Sequence, residues 1–66
     1  MPPKYPKITV KLTGEDGNAF AILGSVVAKL KQENIPTDEI AKFKKEAMSG
    51  DYDHLLQTVM AWITAE

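Results

Sequence analysis

His54 is the only histidine in the chain, and it closely follows Asp51 and Asp53 in the segment SGDYDHLL. A histidine beside two carboxylates invites an acid–base or metal reading, because imidazole titrates near neutral pH and is a common metal ligand. The neighbouring residues argue for something plainer. Asp51 stands where a helix would start, so its carboxylate reads as the cap and His54 as a surface side chain of the first turn. A second acidic group, Glu15 and Asp16, lies in the turn GEDG at 14–17, between a strand-like and a helix-like stretch. Strand, glycine loop and helix is the order used by phosphate cradles. Here there is no GxGxxG and no lysine–serine ending, and two carboxylates would repel a phosphate. The acids do not match calcium-loop spacing either. Asn18 completes the set as the cap of the next helix. The sequence offers no nucleophile–base pair, metal cluster or cofactor loop, so no catalytic, cofactor-binding or metal residue is assigned. Glu15, Asp16, Asn18, Asp51, Asp53 and His54 stand instead as a candidate interaction surface.

Composition narrows the classes further. Sixty-six residues make one domain near the lower limit at which a single core suffices, and there is no cysteine to add a disulfide or a thiolate zinc site. That fits a reducing, cytoplasmic setting. The net charge is −1, and all eight basic residues are lysine. Arginine, the best bidentate ligand for phosphate and guanine, is absent, which argues against nucleic-acid recognition. The longest unbroken apolar run, 19–23, is too short to span a membrane, and the opening MPPKYP is not a secretory signal.

The elements that must carry these residues follow from hydrophobic period and punctuation. Residues 1–6 hold three prolines and read as a flexible, solvated tail, with 7–66 as the single globular domain. Pro3 to Pro6 also matches a PxxP ligand pattern, a short and common one. KITVKLT at 7–13 alternates, with Ile8, Val10 and Leu12 on one face and Lys7, Thr9, Lys11 and Thr13 on the other, so it predicts a strand. No second strand-like segment is evident. A lone strand must pair irregularly with the tail, lie extended across the helices, or take a second copy as partner.

The central element is a helix over 18–33. On a helical wheel, Ile22, Val26, Ala19, Leu30, Leu23, Val27 and Phe20 form one apolar arc. Opposite lie small residues four apart: Ala21 with Ser25, and Gly24 with Ala28. A glycine inside a helix costs roughly 1 kcal/mol relative to alanine, so Gly24 predicts a close-packed second backbone, or else a docking groove for a partner helix. Asn34 in the left-handed conformation, Ile35 folded back on Leu30, and Pro36 beyond them predict a Schellman ending. Thr37 is expected to cap a second helix over 38–48. Ile40, Phe43 and Ala47 form its buried stripe, Met48 lies at the margin, and Lys42 pairs with Asp38 and Glu46. A third helix over 51–65 buries Tyr52, Leu55, Leu56, Val59, Trp62 and Ile63, with Met60 beside them and the Trp62 indole N–H near the rim. His54, Gln57, Thr58, Ala61 and Thr64 would lie on its exposed side. The fold class is mainly α (α+β): one N-terminal strand, then three helices around the long first helix.

The segments TGEDGNAFAILG at 13–24 and SGDYDHLL at 49–56 resemble a family of small bacterial and phage proteins with DGNAF and GDYDHLL segments. No function is known for that family. The resemblance therefore implies no activity, cofactor or partner, only that the two acidic helix starts are its defining segments.

By exclusion, the leading functional expectation is a non-enzymatic accessory or protein-interaction domain with an unidentified protein partner. The alternative is a DNA-binding regulator. A strand with outward lysines before two helices resembles the ribbon-helix-helix dimers, and a homodimer through strand 7–13 would pair the lone strand. However, Asp38 and Glu39 would oppose phosphate at the start of the second helix. A helix-turn-helix around Ser49 and Gly50 would present His54, Gln57, Thr58 and Ala61 without a positive charge. No specific nucleic-acid binding is expected at physiological salt.

Overall fold

The computed structural model describes residues 2–11 and 19–66. The elements run β1 (Tyr5–Val10), α1 (Ala19–Gln32), α2 (Thr37–Ala47), α3 (Tyr52–Trp62) and β2 (Ile63–Ala65). The fold is small and mainly α, with one short strand pair. Leu12 and Thr13 of the expected strand, the turn at 14–17 and the Asn18 cap lie outside the described residues.

β1 has a partner within the chain, which corrects the expectation of a lone strand. β2 runs parallel to it, with Thr9 opposite Thr64 and Val10 opposite Ala65, and the register is irregular between Tyr5 and Thr9. The last turn expected of the third helix is this strand: at Ile63 the backbone opens to φ −138°, ψ 171°. Its β-branched Ile63 and Thr64 suit an extended chain, and pairing with β1 decides the outcome. Tyr5 and Pro6, expected in the tail, belong to β1, and the Lys4 N–H donates to the Ala61 carbonyl at 2.9 Å. Ile8 and Val10 point into the core as the alternation requires, while Lys7 and Lys11 are exposed.

α1 packs against β1, α2 and α3. It buries Ile22, Val26, Val27 and Leu30. Phe20, at the outermost position of the predicted arc, is 74% exposed. Gly24 corrects a second expectation: nothing lies within 4 Å of where its Cβ would be. Among the described residues, none packs on Gly24, and Gly24 and Ala28 are exposed while Ala21 and Ser25 are half-buried. The helix ends as its punctuation predicts. Asn34 has φ 61°, its N–H reaches the Lys31 carbonyl at 3.0 Å, and the Ile35 N–H reaches the Leu30 carbonyl at 3.0 Å.

α2 starts one residue earlier than expected. Pro36 is the cap, its carbonyl accepting from Glu39 and Ile40, and Thr37 is the first helical residue with no capping role. Ile40, Phe43 and Ala47 are buried as expected. Lys42 pairs with Glu39 at 3.4 Å rather than with Asp38 or Glu46. In α3, Leu55 and Val59 are buried, but Tyr52 is 38% and Met60 54% exposed. Thr58, expected on the exposed side, is buried, and its Oγ1 donates to the His54 carbonyl at 2.9 Å. That bond satisfies the hydroxyl within its own helix. Among the described residues, no helix is long and apolar enough to cross a membrane.

Candidate functional site

The end of α2 and the start of α3 meet in a tight corner built on one carbonyl. The Glu46 C=O, in the last turn of α2, lies past the regular i+4 ladder, and the N–H of the cap residue Met48 is turned to it and to the Lys44 carbonyl. The Glu46 oxygen accepts from the Ser49 N–H at 3.2 Å and from the Ser49 hydroxyl at 2.7 Å. His54 Nε2 lies 2.9 Å from the same oxygen and 3.0 Å from Ser49 Oγ. A carbonyl oxygen only accepts, so Nε2 carries the proton and donates. A nucleophile–base dyad needs a bare imidazole nitrogen facing the hydroxyl, whereas here both groups donate toward Glu46. The imidazole is a helix terminator, and Gly50 gives it room: a Cβ on Gly50 would lie 2.9 Å from the His54 Cβ and Cγ.

Asp51 caps α3 as predicted, its Oδ1 accepting from the His54 N–H at 2.9 Å. The structure thus joins Asp51 and His54 through a backbone cap, with the imidazole turned back toward α2. Asp53 is exposed in the first turn of α3. Glu15, Asp16 and Asn18 lie outside the described residues. Among the described residues, no three histidine or carboxylate side chains are grouped so as to hold a metal ion.

What the corner does create is an apolar groove of about 200 Å³, lined by Ala19, Phe20 and Leu23 of α1, Ala47 and Met48 at the end of α2, Gly50 and Asp51 of the corner, and Tyr52 and Leu55 of α3. Among the described residues, four large apolar side chains are exposed, and three of them stand here: Phe20, Met48 and Tyr52. Asp51 is the one charged side chain among these lining residues. The groove was missed in the sequence because Phe20 and Tyr52 fit the buried helical period. The available signal was position. Phe20 is the last residue of its arc, and Met48 and Tyr52 flank a helix break, where neither helix can cover the other's end.

A second polar cluster, also unforeseen, ties the N-terminal segment down. Glu39 Oε1 accepts from the Lys4 ammonium and, at 3.1 Å, from the Tyr5 hydroxyl. The Lys4 ammonium also sits 4.4 Å above the Trp62 ring, whose other neighbours are Phe43, edge-on at 5.6 Å, and Tyr5 at 6.0 Å. The hydrogen bond to Lys4, opposed by burial and reinforced by Tyr5, holds the Glu39 carboxyl below its ordinary value of 4.5. Burial first, then the bond to Glu39, pushes the Tyr5 hydroxyl up. These groups anchor the start of β1 to α2 and α3. Compared with known proteins, the chain matches no protein family, no curated protein and no solved structure.

Proposed function

We propose that the chain is a small non-enzymatic protein-interaction domain that receives its partner in the groove between α1, α2 and α3. One observation carries this reading: Phe20, Met48 and Tyr52 remain exposed around a single concave apolar surface. A chain with so small a core gains from burying such side chains, and large apolar groups grouped on a surface mark interaction sites. The contacts of Ser49 and His54 with the Glu46 carbonyl support a role in ending α2 rather than in catalysis. The helix-turn-helix alternative would need Thr58 facing DNA, and Thr58 is buried. A cytoplasmic setting fits the absence of cysteine.

The test uses Phe20→Asp and Met48→Lys in the groove, with Met60→Lys, exposed elsewhere on α3, as the control. Folding of each variant is checked by circular dichroism. The expected outcome is that one host protein, captured by the wild type and the control, is lost by both groove variants. Capture that is indifferent to the groove variants, or lost equally in the control, overturns the reading.

A further inference from the structure

The sheet has two strands in the order β1-β2, so β1 has a second edge. Its direction follows from the bonds that β1 makes to the C-terminal residues. The Val10 carbonyl accepts from the Glu66 N–H at 2.9 Å, and the Pro6 carbonyl accepts from the Thr64 hydroxyl at 2.8 Å. Alternate residues of a strand turn their backbone groups to opposite edges. Burial alternates regularly from Lys7 to Val10, after the irregularity, so counting back from Val10 places Lys7 and Thr9 with N–H and C=O toward the other side. Among the described residues, no strand pairs there. The side chains along this edge are Lys7 and Lys11, both exposed, with Thr9 half-buried between them. The ion pairs among the described residues involve Lys4, Lys42 and His54, and neither Lys7 nor Lys11.

We propose that this edge of β1 accepts an extended acidic segment of another protein as a third strand. Strand addition draws affinity from main-chain bonds and specificity from alternate side chains. Acids set four apart on the incoming strand would stand beside Lys7 and Lys11. The residues flanking the central position would extend the apolar face of Ile8 and Val10. The recognised pattern is acid–apolar–any–apolar–acid. The same lysines discourage a second copy of this chain. Antiparallel pairing centred on Thr9 would place Lys7 opposite the Lys11 of the other copy, and like charges directly opposite destabilise a sheet. The edge shares no residue with the groove, so the two proposals stand or fall separately.

The probe is a soluble, end-capped peptide containing Glu-Val-Thr-Val-Glu, compared with one containing Lys-Val-Thr-Val-Lys. Binding to the full chain is followed by amide spectra and hydrogen exchange. The acidic peptide is expected to protect the Lys7 and Thr9 amides, and the basic peptide to leave them exchanging. In the double variant Lys7→Glu/Lys11→Glu the preference should invert, with the acidic peptide weakened by about tenfold, or roughly 1.4 kcal/mol. Both substitutions are at exposed positions, so the fold is retained as its control. Protection of both amides in the free protein, equal response to the two peptides, or response to neither overturns the proposal. A dimer in sedimentation with the same amides protected overturns it too, by giving the edge to a second copy.

Discussion

Glu39 accepts from Lys4 and Tyr5 and pairs with Lys42, so one carboxylate of α2 holds the start of β1 against the helices. The titration of this cluster has a definite sign. The Glu39 pKa is lowered from 4.5, so its contribution to stability is present above 4.5 and is lost as pH falls through the folded value. The bond to Glu39 raises Lys4 above 10.5, and burial raises Tyr5 above 10.0; their contributions are present below those values and are lost as pH rises through the folded ones. Glu39→Gln is therefore expected to lower stability near neutral pH and to converge with the wild type in acid. Denaturant titrations of the two proteins at several pH values, read by Trp62 fluorescence, test this. A gap that persists unchanged well below 4.5 would show that the carboxylate charge is not what ties the strand.

At the scale of elements, the open surroundings of Gly24 reverse what its sequence context suggested. Without a neighbour within 4 Å among the described residues, the residue retains its entropic disadvantage in a helix. Gly24→Ala should stabilise by about 0.5–1 kcal/mol, measured by thermal or denaturant unfolding. A destabilising result would mean that something does approach this face. The contrast with the other end of α1 shows which features of the chain were legible. Asn34, Ile35 and Pro36 specify a local geometry in consecutive residues, and the structure reproduces it bond for bond. Asp51 capped as predicted for the same reason. The alternation at Ile8 and Val10 declared a strand from its own pattern. β2 was not legible because Ile63 continues the four-residue spacing of Leu55 and Val59, with no glycine or proline to end the helix. Only contact with β1, distant in sequence, distinguishes the two conformations. The N-terminal anchor was hidden similarly: prolines around Lys4 and Tyr5 signalled a tail, and nothing local announced that Glu39 and Trp62 would receive them. The groove at the α2–α3 corner depended on where two helix ends stop, and period alone does not fix that.

At the scale of the molecule, β1 and β2 lie at opposite ends of the described chain, and their pairing encloses all three helices. Ile63 is fully buried at the point where α3 gives way to β2, so it serves both the core and the closure of the sheet. Ile63→Ala is expected to cost about 2–5 kcal/mol, a large share of the roughly 5–15 kcal/mol that a natural domain possesses. Chemical denaturation would read it directly; a loss below about 1 kcal/mol would mean that the helices hold without the strand pair. The parallel sense of the pair has a mechanical consequence as well. Tension applied at the two ends would drag β1 backwards from Tyr5 and β2 forwards from Ala65, in opposite directions along one shared axis. The rungs between them, with the Thr64–Pro6 and Glu66–Val10 bonds, would then be loaded together in shear rather than peeled apart one by one. A sheet this short thereby acts as a clamp, and the three helices behind it stay unstretched until it slips.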